Sequence, residues 1–599
     1  MTVTSQSTCR ANLVFQCDEL ATEIFSHLAP GPLSKQDTIQ YRWLRNDRQR
    51  ALSRAARMCR AWSEPALDAL WRVVDDVHDL LRVLPCIDNA GGIIVRAYVL
   101  VSLHSAAGVL TTINLKNLQR DPTPAEWERL QRYAERVCEL HWCTPPTETD
   151  PGPPTFDECP TTVSISPSVW TAISGWYARQ GRSELCPRLQ RLVISSVPPE
   201  LAAAAGSLIH ILLTPTIQDL KISAEDTSIA DAGTGLLYLI QPVLATLQSF
   251  TIGRGEFDVW GTWLTNAQGT FDLLNLENFR ALQRLDIGIS PIAITQELVS
   301  LFELWGLRSL TLEIKGVDDD VSPRAVPRCA LRDTLRELHI KGSPALLSRF
   351  AEYAVGPELE VLGVHLVTDS EDDAALGEVR NTFGRIMERT SSRIASVSLT
   401  LGSRSGAGGP ICVPAIHFLR PLLSKAELRK IAISSEYPYI YLDRGHMLEI
   451  MRAWPHLTTL RIDWRGVHPN PIRLHAEIHG EDAPFVGDLV SLAESHPKLR
   501  YLSLPSLSVR SMHQIREVPM LGHGLEVLYI RSIQGPRDGR LDHSQLFHLA
   551  LSLDRMFPDL ILSGPDFQGV SKREGRWDTV ERTLLALQTG RRGTHLHKC

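Results

Sequence analysis

One short pattern, apolar-x-x-apolar-x-apolar, returns thirteen times between residues 189 and 562 and constrains the fold more than any single residue does. It opens at Leu189-x-x-Leu192-x-Ile194 and recurs, for example, at Leu282-x-x-Leu285-x-Ile287, Leu335-x-x-Leu338-x-Ile340, Leu457-x-x-Leu460-x-Ile462 and Leu525-x-x-Leu528-x-Ile530. The last copy is Phe557-x-x-Leu560-x-Leu562, and successive copies stand 24 to 42 residues apart. A unit repeated at that period cannot bury its apolar face alone, so the copies must stack into a solenoid. The fourth and sixth positions lie two apart and point to the same side of a strand.

The stretch ahead of a copy carries helical spacing. Met447, Ile450, Met451 and Trp454 precede Leu457 at i, i+3, i+4, i+7. Phe485, Leu489, Leu492 and Ala493 stand so before Leu499, and Leu546, Leu549, Ala550 and Leu553 before Phe557. Leu298, Leu301, Phe302 and Trp305 do the same before Leu307. Breakers then stop the helix: Pro187, Gly306, Pro357, Pro455, Pro497 and Pro558. The expected fold class is α/β, with a helix and then a strand in each unit. An earlier cryptic unit is expected at Val137-x-x-Leu140-x-Trp142, separated from Leu189 by a Pro/Thr-rich surface excursion over 143–160.

Four regions are expected: a polar, disordered 1–16; compact helices over 17–85; the repeats over 86–565; and a capping helix with a flexible basic tail over 566–599. Lysines and arginines number 62 against 68 acidic residues, a balance that argues against a dedicated nucleic-acid binder. The 11 cysteines are odd in number and too dilute for a disulfide scaffold. The most apolar stretch, 91–110, is broken by Arg96, Ser102, His104 and Ser105, so no membrane span is expected. Residues 1–16 lack an apolar core after a basic start. The expectation is an intracellular protein of cytoplasm, nucleus or both.

In the helical region Leu20, Ile24 and Leu28 fall at i, i+4, i+8 with Phe25 adjoining, which makes one apolar face. Over 50–71, Leu52, Ala55, Ala56, Cys59 and Trp62 share a second face. Pro65 is placed early in a further short helix bearing Leu67, Leu70 and Trp71. A module this small has little room for a core and leans on neighbours.

These residues resemble an F-box. Glu19, Ile24 and Leu28 match its first helix; Cys59, Arg60 and Trp62 match its Cys-Arg-x-Trp element; Leu70 and Trp71 match its closing Leu-Trp. The usual starting proline is replaced by Cys17-Asp18, and the loop over 29–49 is longer than the family norm. The later repeats, led by Cys186-Pro187-x-Leu189-x-x-Leu192-x-Ile194, resemble a leucine-rich-repeat solenoid. The family's Asn or Cys ladder is not evident, so an irregular horseshoe is expected, with parallel strands on the concave side and helices on the convex side. The layout is most similar to the large fungal set of F-box proteins.

The resemblance implies a substrate-recognition subunit of a Skp-cullin-F-box type ubiquitin ligase. Its adaptor-binding residues would be Leu20, Ile24, Phe25, Leu28, Cys59, Trp62, Leu70 and Trp71. The partners implied are a Skp-type adaptor, a cullin and a RING subunit through it, and a target protein on the repeats. The alternative is a non-catalytic scaffold whose module binds an adaptor or caps the solenoid.

Nothing in the sequence points to chemistry. G-x-x-x-x-G-K-[ST], G-x-S-x-G and H-E-x-x-H are absent, so a catalytic role and a cofactor are not expected. Cys138, His141 and Cys143 read as structural rather than metal ligands, because no second ligand pair follows at zinc spacing. His595, His597 and Cys599 read as a flexible tail, and the Gly/Ser run 402–409 as a loop. Asp318, Asp319, Asp320, Asp372 and Asp373 read as solvated loop residues. The seven arginines from Arg42 to Arg60 read as a solvated face or a complement to an acidic partner. On the sheet, the third, fifth and seventh positions of each copy should project outward. In the C-terminal half they include Arg461, Asp463, Tyr501, Tyr529 and Arg531, side-chain types enriched at hot spots and the expected target-binding set.

Overall fold

The computed structural model describes residues 18–29, 39–75, 77–88, 94–99, 109–118, 120–143, 161–165, 167–182, 184–195, 211–224, 240–254, 279–294, 306–317, 334–403, 411–464, 483–509, 518–535, 542–561 and 575–596. The chain forms two compact units, Met1–Ser290 and Pro291–Cys599. Outside the described residues lie the polar N-terminus 1–16, most of the Pro/Thr-rich excursion and the helix expected over 298–305. So do Asp318 to Asp320, most of the Gly/Ser run, Leu562, and the tail residues His597 and Cys599.

The first unit begins with helices α1 (Asp18–Leu28), α2 (Ile39–Met58) and α3 (Arg60–Trp71). Strand β1 (Val73–Val74) and short helix α4 (Val77–Leu81) follow. Strands β2 (Ile87–Asp88), β3 (Ile94–Val99) and β4 (Val109–Leu118) lead to helix α5 (Pro124–Ala134) and strand β5 (Glu139–Cys143). Then come β6 (Thr161–Ile165), helix α6 (Pro167–Arg179), and β7 (Arg191–Ser195), β8 (Asp219–Ala224), β9 (Ser249–Arg254) and β10 (Arg284–Ile294). The main sheet of this unit runs β1-β5-β7-β8-β9-β10 and is parallel throughout.

Register turns the repeated pattern into rows. Leu140, Leu192, Leu220, Phe250 and Leu285 stand side by side, and Trp142, Ile194, Ile222, Ile252 and Ile287 form the next row. All ten are buried. The fourth and sixth positions therefore line the core, and each such side chain contributes roughly 1.5–3 kcal/mol.

The second unit repeats the arrangement with more of its helices described. Strands β11 (Ser309–Val317) and β12 (Glu337–Gly342) precede helix α7 (Pro344–Ala354) and strand β13 (Val361–Thr368). Helix α8 (Asp373–Arg389) leads to β14 (Ser396–Ser403), β15 (Cys412–Pro414) and helix α9 (Ile416–Leu419). After β16 (Lys430–Ser435) and β17 (Tyr439–Tyr441), helix α10 (Arg444–Ala453) precedes β18 (Thr459–Trp464), and helix α11 (Val486–Ser495) precedes β19 (Tyr501–Ser508). Strand β20 (Val527–Gln534), helix α12 (His543–Met556) and helix α13 (Gly575–Leu596) complete it. The parallel path is β11-β12-β13-β14-β16-β18-β19-β20, with β15 and β17 paired separately. The row Leu310, Leu338, Leu362, Val397, Ile431, Leu460, Leu502, Leu528 crosses all eight strands and is buried. Both units are thus solenoid-like α/β structures with parallel sheets.

The helix-to-strand corners replace the asparagine ladder with ring donors. Trp454, His496 and Phe557 close α10, α11 and α12 in nearly the same backbone conformation (φ −128°, −127° and −130°), each followed by proline. Trp454 Nε1 donates to the Leu422 carbonyl at 3.1 Å and His496 Nε2 to the Trp454 carbonyl at 3.0 Å. His523 Nε2 donates to the His496 carbonyl at 2.8 Å. At these three positions a ring donor satisfies a buried carbonyl of the preceding repeat, as a buried polar group requires.

Several expectations need correction. The sheet starts at Val73, inside the region expected to be purely helical, because β1 pairs with β5; a two-residue strand is too short to leave a periodic signal. Residues 86–165 are not helix-strand units only. β4 pairs antiparallel with β2 and β3 and parallel with β6, a small separate sheet. Asp372 is exposed as expected, but it caps a helix rather than lying free in a loop. Its carboxylate accepts the Ala375 N–H at 2.7 Å, capping α8, and that bond holds its carboxyl below the usual range.

Candidate functional site

The three N-terminal helices pack around Ala21, Phe25, Leu52, Ala66 and Ala69, with Leu28, Ala29, Ala55, Ala56, Trp62 and Leu70 against them. The face expected from Leu52 to Trp62 is divided between two helices, Leu52, Ala55 and Ala56 on α2 and Trp62 on α3. Cys59 adopts extended backbone (φ −155°, ψ 161°), ending α2 at Met58 and starting α3 at Arg60. Its carbonyl accepts the Trp62 and Ser63 N–H groups at 3.2 and 3.1 Å, so the new helix starts five residues earlier than Pro65. Pro65 lies inside α3, and Cys59 is exposed rather than part of a buried stripe.

The eight expected adaptor residues separate into three groups. Phe25 is core, 4% exposed, and Trp62 meets it edge-on with ring centroids 5.7 Å apart. Leu28 and Leu70 pack on the same core. Trp71 is not part of that core cluster and lies 4.7 Å from the Tyr133 ring of α5. Leu20 and Ile24 are left out of the core, 42% and 49% exposed on successive turns of α1, and Cys59 is exposed at the α2–α3 break. A helix whose Ala21 and Phe25 face inward must turn residues one position earlier aside, by 3.6 residues per turn. The apolar face of α1 is therefore double, one side filled and one side open.

The module is fastened to the sheet by charges that sequence reasoning missed. Arg45 of α2, only 3% exposed, pairs with Asp75 just after β1. Burial raises the Asp75 carboxyl, and Arg45 pulls it back down. Arg136, following α5, pairs with Glu64 and Asp68 of α3. Pairs 30 and about 70 residues apart leave no local pattern in the chain.

The expected target-binding residues project from the core as the alternation requires, but they are not an open cluster. Asp463 and Tyr529 are each 6% exposed. Arg461 Nε donates to Asp463 at 2.6 Å, and Ser503 Oγ donates to its other oxygen at 3.5 Å. The Arg531 guanidinium lies 4.6 Å above the Trp464 ring, which Tyr439 meets edge-on at 5.1 Å. Tyr501 is half-buried. These side chains spend much of their reach on one another, so the reading of Asp463 and Tyr529 as freely projecting groups is corrected. Strand β12 keeps the expected contrast: Leu338 and Ile340 are buried, whereas His339 is half-exposed and within 3.1 Å of Glu337.

His141 is buried with Nε2 2.7 Å from Glu139, and Cys138 precedes β5 rather than lying on it. Among the described residues no group of three or more His, Cys, Asp or Glu side chains is placed to hold a metal, and no helix is long and apolar enough to cross a membrane. A cavity of about 600 Å³ opens beside α2, lined by Arg50, Arg54 and Arg57 and floored by Leu70, Trp71, Val73 and Val74. The chain matches no protein-family model and no curated protein.

Proposed function

We propose that this chain is a non-catalytic substrate-recognition subunit of a Skp-cullin-F-box type ubiquitin ligase, working in cytoplasm or nucleus. The helices over 18–71 are its F-box and dock a Skp-type adaptor, which links it to cullin and RING subunits. The parallel strands and their helices are leucine-rich-repeat-like and hold the target. The observation that carries this reading is the open side of α1: Leu20 and Ile24 stand exposed on a small helical module whose own core has no place for them. Exposed apolar side chains on adjacent turns form a docking stripe, because burying them against a partner is favourable by about 1.5 kcal/mol or more each. The function is then proximity: holding a target near a charged conjugating enzyme raises its effective concentration.

A scaffold is the second reading, and one observation favours it. The pairs Arg45–Asp75 and Arg136–Glu64/Asp68, with the Trp71–Tyr133 contact, tie the helices to the sheet as a cap would be tied. The test uses the full chain with a purified Skp-type adaptor. Leu20→Asp/Ile24→Asp should weaken adaptor binding at least about 50-fold, the cost of two desolvated apolar contacts, with the melting temperature unchanged. A folded wild-type chain without adaptor binding removes the ligase reading. Adaptor binding without ubiquitin transfer to a co-purified protein leaves the scaffold.

A further inference from the structure

Helix α2 carries six arginines against one aspartate, on a chain whose net charge is −6. The structure divides them by role. Arg45 is buried against Asp75, while Arg50, Arg54 and Arg57 stand exposed along one side at i, i+4, i+7 and form a wall of the 600 Å³ cavity. Like charges at that spacing weaken a helix by roughly 0.2–0.5 kcal/mol per pair, so their alignment is a local cost without a local return. Compensation among the described residues is slight. Arg50 reaches Asp47 at 3.4 Å on the exposed surface, and Arg57 Nε donates to the Ser53 carbonyl at 3.1 Å. Asp75 and Asp79 also line the cavity, but Asp75 is held by Arg45 and Asp79 by Arg82, at 2.7 Å.

The floor is of a different kind. Leu70 and Trp71 are half-buried there beside buried Val73 and Val74. Basic wall and apolar floor together match an occupant bearing both carboxylates and an apolar side chain. Arg50 to Arg57 spans about 10.5 Å at 1.5 Å per residue, the length of about three residues of extended peptide. Guanidinium groups grip carboxylates in bidentate fashion, and Trp and Arg are both residue types enriched at protein hot spots.

We propose that this cleft binds an acidic segment of a partner protein, its carboxylates on Arg50, Arg54 and Arg57 and an apolar side chain on Leu70 and Trp71. No residue of α1 lines the cleft, so it is a second surface, separate from the Leu20/Ile24 stripe and independent of the ligase reading.

The full chain is titrated into fluorescein-labelled peptides and binding is followed by anisotropy. Glu-Glu-Leu-Glu-Glu should bind saturably, more weakly as salt rises. Lys-Lys-Leu-Lys-Lys should not bind, and Glu-Glu-Gly-Glu-Glu should bind at least fivefold more weakly. Arg54→Glu/Arg57→Glu should lower the affinity at least tenfold while leaving the melting temperature and circular dichroism unchanged; both residues are exposed, so the variant folds. Leu20→Asp/Ile24→Asp should leave peptide binding intact, which separates failure here from failure of the adaptor reading. Equal binding of the leucine and glycine peptides, displacement by equimolar pyrophosphate, or tighter binding of a ten-residue oligothymidylate would each overturn the proposal.

Discussion

Leu338 has Leu310 beside it on one neighbouring strand and Leu362 on the other, each occupying the same position of its own repeat. Phe25 has nothing of the kind. Its buried companions are Leu52 and three alanines, and Trp62 covers it from a partly exposed position. The sheet is stabilised by redundancy, since a repeat that loses a contact is still flanked by two intact ones. The helical module has a thin core, because alanine buries little apolar area, and it depends on ties to β1 and α5. Repetition makes one region robust and readable, while the other is specified by a few unique contacts.

The largest expected effect tests the robust region. Leu338→Asp places an unpaired carboxylate in a dry row and should cost about 5 kcal/mol, at the extreme of single substitutions. Urea unfolding should show loss of the cooperative transition of the second unit. His339→Asp, one residue away on the opposite side, should cost under about 1 kcal/mol. Equal costs at the two positions would mean that the strand faces are assigned wrongly.

Phe25→Ala probes the thin core and should cost about 3 kcal/mol. Hydrogen exchange should show α1, α2 and α3 opening while the β12–β14 amides stay protected. Loss of protection across β12–β14 in this variant would erase the contrast between the two regions. The third substitution tests the ties. Arg45→Ala leaves Asp75 partly buried without its partner and should cost about 2–3 kcal/mol. Arg45→Met/Asp75→Leu should recover most of it. No recovery in the double variant would mean that the pair matters for shape rather than charge.

What the sequence disclosed follows the same division. The buried rows, the helices ahead of Leu457, Leu499 and Phe557, and the cryptic strand at Leu140 were all legible, because each repeats a pattern thirteen other segments share or is set off by proline. The candidate site was legible only as a set of residue types. Leu20, Ile24 and Phe25 are three similar apolar residues in sequence, and only the direction in which α1 turns decides that Phe25 is core and the other two are open. Tyr529 and Asp463 fall on the outward register, as alternation says. Their burial depends on partners such as Arg461 and Ser503, which periodicity cannot weigh. Arg45 and Asp75 meet through tertiary packing alone.

The smallest effect concerns the corner ladder that joins repeats of the second unit. His496 is fully buried, donates from Nε2 to the Trp454 carbonyl, and has Ser495 Oγ 2.8 Å from Nδ1. Burial holds its pKa below the ordinary histidine value, with the nearby His523 acting in the same direction. The unfolded imidazole takes up its proton near pH 6.5, and the folded one only at lower pH, so between those values the unfolded chain binds more protons. The contribution of His496 is therefore complete above about pH 6.5 and declines as the pH falls towards the folded value, by at most about 1.4 kcal/mol per pH unit. His496→Gln keeps a donor for the Trp454 carbonyl and removes the titration. Its stability should be lower at pH 7.5 but should change less between pH 7.5 and 5.5 than that of the wild-type chain, as read by urea midpoints. An identical pH dependence in the variant would remove His496 from the acid response, whose source would then have to lie elsewhere than in the ladder.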